Sequence, residues 1–198
     1  MTEFKHICPI EDPTQLHTYH QIIDSVLGTI YSEDDLWIRK QENWIAVATS
    51  DSFFESEFEV RLAKTLKAYG YSQIIAVAWE KLLNFPQAFV IPSTLEAISE
   101  FNLKNPGFMF VIFAGSPDWL ILLTRLEFLI TAGQSSFVDA ILGCEFENAF
   151  GEIPEMSESE YINPVIRRHY SHILEQLQVI YPQVEPGTII SLGWLDWD

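Results

Sequence analysis

Two His-x-x-His spacings, His17/His20 and His169/His172, are the residues of this chain best suited by type and spacing to hold a metal ion. Imidazoles three apart on a helix share a side and reach a common zinc-like ion. The helical wheel argues against both pairs. At about 100° per residue, the apolar stripe Ile166, Tyr170, Ile173, Leu174 and Leu177 leaves His169 at its flank and His172 almost opposite. His20 likewise falls on a flank and His17 faces solvent, so no metal site is expected and no cofactor is implied. Cys8 and Cys144 lack C-x-x-C spacing and read as reduced thiols. Cys144, expected to be buried, is a poor nucleophile: a preceding helix C-terminus and the adjacent Glu145 both disfavour a thiolate.

Acids are so abundant that pairing them proves little, but Asp118-Trp119 stands out. An acid beside an aromatic ring at the start of a strand binds a sugar or a cation; the plainer reading is a hairpin turn followed by a core tryptophan. Gly133-Gln134-Ser135-Ser136, where a strand passes into a helix, would offer backbone N–H groups to an anion, yet no Lys or Arg stands nearby and a turn with a cap suffices. The nucleotide-binding, nucleophile-elbow and zinc-protease signatures are missing, and no catalytic residue is singled out.

Charge is the one extreme of the composition. The 198 residues carry a formal net charge of −17, and between Lys104 and Arg167 the only basic residue is Arg125. Glu145, Glu147, Glu152, Glu155, Glu158 and Glu160 crowd one stretch of that segment. Such a surface repels phosphate backbones, which disfavours direct nucleic-acid binding and favours a basic protein partner. Trp194 and Trp197, set among acids at the C-terminus, are candidate anchors for that partner, since tryptophan is a frequent interface hot spot.

The elements that position these residues follow from periodicity. Asp12-Pro13 with an apolar stripe predicts a helix at 13–27; Ser52 with Glu55, then Phe54, Phe58, Leu62 and Leu66, predicts a second, stopped by Gly70. Trp44 to Thr49 and Gln73 to Trp79 read as strands on either side of it, able to lie parallel with the helix crossing one face. Gln87 to Ile91 reads as a weaker strand. Ser93 with Glu96 opens a helix to about Phe101, and Ser136 caps another through Leu142. Apolar runs at 108–114, 119–124 and 128–132 with short connections predict an antiparallel meander, which could include an exposed edge. A loop at 145–163, a helix at 164–181 and a last strand at 188–194 complete the chain.

The fold expected is therefore α+β (mixed α/β): one domain over 1–198, with a single mixed sheet of about six to seven strands flanked by about five helices. No signal segment is recognisable, and Pro117, Asp118, Arg125 and Glu127 interrupt the most apolar stretch, so a soluble cytoplasmic protein with no membrane span is expected. In size and charge the chain looks like the small acidic bacterial proteins that neutralise toxins or sequester basic partners. The function expected is a non-enzymatic, immunity-like or inhibitor-like acidic protein. The alternatives are a hydrolase using carboxylates or a His/carboxylate metal site, and a subunit of a larger complex or a nucleic-acid mimic.

Overall fold

The structure is a computed structural model that describes residues 3–27, 38, 41, 43–49, 56–105, 107–124, 128–143 and 157–180, the side chains of 166, 169, 172 and 176–180 excepted. Its frame is one seven-stranded sheet: β1 (Cys8–Pro9), β2 (Ile45–Thr49), β3 (Gln73–Ala78), β4 (Ala88–Pro92), β5 (Phe110–Ala114), β6 (Trp119–Leu123) and β7 (Leu129–Gly133), in the order β1-β4-β3-β5-β6-β7-β2. Among the described residues there are five helices: α1 (Pro13–Val26), α2 (Ser56–Ala68), α3 (Leu95–Lys104), α4 (Ser135–Leu142) and α5 (Pro164–Ile180). This is the α+β class expected, with the meander in place as β5, β6 and β7.

Every pairing among the described strands is antiparallel, so the seven strands do not form the mixed sheet expected. The strands flanking α2 do run in the same direction, but β5, β6 and β7 lie between them. The meander has no free edge either, because each of its strands has a neighbour on both sides. Register explains why these runs are apolar throughout. Alternate residues of β5, β6 and β7 feed two cores. One, with Phe110, Ile112, Trp119, Ile121 and Leu129, lies under α2, α3 and α4. The other, with Val111, Phe113, Leu120, Leu122 and Ile130, lies under α1 and α5. Covering both faces removes the polar alternation that an antiparallel sheet shows when one face is wet.

Local chemistry sets the helix ends. Asp12 caps α1 by accepting from the Thr14 N–H at 2.9 Å, with Pro13 in the first turn as expected. The cap of α3 is Thr94, whose hydroxyl accepts from the Ala97 N–H, and not Ser93, whose Oγ is buried without a partner among the described residues. At α4 the cap position is Gln134 and not Ser136, with no side-chain capping bond, and Gly143 closes the helix. Asn163 Oδ1 accepts from Val165 N–H at the start of α5. The Ser52 cap and the 188–194 strand lie outside the described residues.

Two carboxylates fasten the helical layer. Glu59 on α2 accepts from the Ser99 hydroxyl and, at 2.7 Å, from the Asn102 amide, tying α2 to α3. Glu100 on α3 accepts from three successive backbone N–H groups, Lys5 at 2.8 Å, His6 at 2.6 Å and Ile7 at 3.1 Å, and so holds the segment that leads into β1. Partial desolvation pushes the Glu100 carboxyl up, but these three bonds together with the nearby His6 outweigh it and hold the group below its ordinary value.

Candidate binding cleft at one end of the sheet

Because β2, β3 and β6 run the same way, their first residues lie at one end of the sheet. Each of these starts carries an aromatic side chain: Trp44 just before β2, Tyr71 just before β3, and Trp119 opening β6. The end of α2 adds Tyr69, and the start of α4 adds Gln134 and Phe137. With Pro117 and Asp118 from the β5–β6 turn, these residues line a cleft of about 300 Å³.

The rings brace one another. Trp119 and Phe137 stack with centroids 4.7 Å apart and an angle of 26° between planes. Tyr71 meets both edge-on, at 6.0 and 6.2 Å, and Tyr69 meets Phe137 edge-on at 5.0 Å while its hydroxyl donates to Ser136 Oγ at 3.2 Å. Trp119 is only 1% exposed and forms the floor, whereas Tyr69 is 45% exposed and presents its ring at the rim. Gly133 permits this floor: it sits opposite Trp119 across the strand pair, and a Cβ there would lie 2.8 Å from the Trp119 Cβ.

Asp118 supplies the only carboxylate among the described lining residues. The Tyr71 hydroxyl donates to its Oδ2 at 2.9 Å, and among the described residues its Oδ1 accepts no hydrogen bond. The turn is shaped to keep that carboxylate folded over it. Gly115 has φ of 72°, a left-handed conformation suited to glycine, and a Cβ there would run into the Asp118 carboxyl group. Burial, then the hydrogen bond to Asp118 and its charge, push the Tyr71 phenol up to about 12. The Trp119 indole N–H opposes this from close by, short of hydrogen-bond geometry, and has no partner of its own among the described residues. Tyr71 is thus a fixed neutral donor that holds one carboxylate oxygen and leaves the other open.

The residues singled out in the sequence fall apart unevenly. Asp118 and Trp119 enter the cleft together, and the plainer reading of the pair holds: an exposed acid in a tight turn followed by a buried core tryptophan. Glu158 and Glu160 are exposed just ahead of α5 and do not line the cleft. Glu145, Glu147, Glu152, Glu155, Cys144, Trp194 and Trp197 lie outside the described residues. His17 is exposed and its ring contacts Gln21 at 3.0 Å, and His20 is half-buried; no group of three His, Cys, Asp or Glu side chains that could hold a metal occurs among the described residues. Nor, among them, is any helix long and apolar enough to cross a membrane. Sequence reasoning missed Tyr69, Tyr71 and Phe137 as site residues. The available signal was an aromatic at the start of each of three strands, but it became meaningful only once those strands were known to point the same way.

Compared with known proteins, the chain matches no family model, no curated protein and no solved structure.

Proposed function

We propose that this chain is a non-enzymatic interaction protein that recognises a basic protein partner, with the aromatic cleft around Asp118 as its anchoring site. The observation that carries this reading is the lining of the cleft: among the described residues, one half-satisfied carboxylate is held among five aromatic side chains, with no basic residue. A carboxylate and ring faces both attract a cation, and a half-enclosed site strengthens the attraction by excluding water. The net charge of −17 supports the same reading from a distance, since it steers a positively charged partner toward the surface and speeds encounter. In this division of labour the exposed acids, Glu158 and Glu160 among them, govern rate and salt dependence, and the cleft governs residence.

A titration followed by tryptophan fluorescence tests it, using a short unstructured peptide of arginine, lysine and glycine at physiological ionic strength. D118N and E160Q each remove one negative charge, one inside the cleft and one outside. Binding should weaken about tenfold in D118N and less than about twofold in E160Q. Equal losses would mean that diffuse charge alone attracts the peptide, and no binding at this salt concentration would end the reading altogether.

A further inference from the structure

We infer that the cleft takes a single arginine side chain, its guanidinium seated against Asp118 and flanked by the rings of Tyr69 and Trp44; this deepens the reading of a basic partner and rests on it. The size of the cleft is the first reason. About 300 Å³ is at the small end for ligand sites and matches one long side chain better than a cofactor or an oligosaccharide.

The polar groups are the second. Asp118 Oδ1 is open, and Oδ2, which takes one bond from Tyr71, has a second lone pair. A planar cation with several N–H groups in a fixed fork uses both oxygens, whereas an ammonium is a point charge that needs only one. Gln134 adds a side-chain amide with no hydrogen bond among the described residues, because α4 does not use it as a cap. Its oxygen is a second acceptor for an N–H that points away from Asp118.

Hydration is the third reason. A guanidinium is more weakly hydrated than an ammonium and stacks flat on aromatic faces, so a half-enclosed aromatic site costs it less water. A neutral sugar would also stack, but it would gain nothing from the carboxylate's charge. A quaternary ammonium would gain from the charge and the rings, but it would leave Asp118 Oδ1 and the Gln134 oxygen without a donor. The guanidinium uses the rings, the charge and the open acceptors together, which neither a neutral sugar nor a quaternary ammonium does, and its flat fork suits the two carboxylate oxygens better than a primary ammonium does.

The probes are N-acetyl-argininamide, N-acetyl-lysinamide and N-acetyl-citrullinamide, the last being the neutral near-isostere of the first. Each is titrated into the full chain while the indole N–H resonances are followed by NMR. The expected order is arginine, then lysine weaker by roughly threefold or more, then citrulline with no measurable binding, and D118N should weaken arginine about tenfold. Circular dichroism of D118N checks that the fold is kept, and D118E, which retains the charge on a longer stem, should recover part of the affinity. Citrulline binding as well as arginine, or lysine matching it, would overturn the assignment. If the basic peptide still binds in a manner dependent on Asp118 while argininamide does not, the arginine assignment falls and the broader function stands; if neither binds, both fall.

Discussion

Glu59 and Glu100 on one side, and Asp118 on the other, are carboxylates at opposite extremes of hydrogen-bond occupancy. Glu59 has a donor on each oxygen, and Glu100 gathers three backbone N–H groups. Asp118 has one donor, Tyr71, and an oxygen left over, although it stands in a rigid turn beside buried rings. A carboxylate whose lone pairs are filled by its own chain fastens elements together; one held in place with an oxygen left over is the kind that the function proposed above requires. Stability and binding should therefore separate cleanly between the two groups.

The largest stability effect is expected at Glu59, which is only 8% exposed. Glu59→Ala leaves the Ser99 hydroxyl and the Asn102 amide without their acceptor, and urea denaturation should show a loss of about 2–3 kcal/mol. Binding of a basic peptide under native conditions should be unchanged. A loss of peptide binding in a folded E59A protein would break the division, because it would make the α2–α3 clamp part of the recognition surface.

Glu100→Gln should cost less, about 1 kcal/mol, since the group lies near the surface and water replaces part of what is lost. The effect should be local, with faster amide exchange at Lys5, His6 and Ile7. It also carries a pH signature. The folded-state value of Glu100 is depressed, so its contribution is present above the unfolded value of about 4.3 and is lost as pH falls through the lower folded value. The gap in stability between the natural chain and E100Q should therefore close on acidification below about pH 4. A gap that stays constant to lower pH would show that the carboxylate's charge does not matter to the clasp.

Asp118→Asn should move stability by no more than about 0.5 kcal/mol, as expected for an exposed turn residue, while sharply weakening cation binding. That contrast with Glu59 is the sharpest form of the comparison. Equal thermal midpoints for the natural chain and D118N, with different affinities, would establish it; a large fall in the midpoint would place Asp118 with the structural acids.

Much of this architecture was readable in the chain, and the reasons are local. Phe58, Leu62 and Leu66 at every fourth position fixed α2, and Gly115-Ser116-Pro117-Asp118 between two apolar runs fixed the β5–β6 turn. What escaped was long-range. Nothing in 44–49 or 73–79 says that β2 pairs with β7 and that three strands intervene, because an apolar run buried on both faces carries no mark of its neighbours. The cleft inherits that difficulty. Asp118 and Trp119 are adjacent and could be suspected, but Tyr71 is 47 positions away from Asp118 and became its partner only through the sheet. The Glu59 and Glu100 anchors were hidden for the same reason, and among so many acids neither had a distinguishing neighbour.

Tyr71 offers the finest test, because it bridges the two kinds of carboxylate use: it belongs to the fold and it tunes the site. Tyr71→Phe keeps the ring contacts with Trp119 and Phe137 and removes only the hydroxyl, so cation affinity should fall about two- to fivefold as Asp118 loses its tether. The alkaline titration isolates the same bond. A phenol raised to about 12 favours the folded state while it is neutral, so its contribution is present below the unfolded value of about 10 and is lost as pH rises through 12. The natural chain should thus lose more stability than Y71F between pH 10 and 12, and the difference in phenolate absorbance between them should have its midpoint near 12. In D118N that midpoint should come down, because burial, which remains, is joined in the natural chain by both the hydrogen bond to Asp118 and its charge. A midpoint unmoved by D118N would mean that Tyr71 does not hold Asp118, and the open oxygen on which the proposed arginine recognition depends would lose its reason for being fixed.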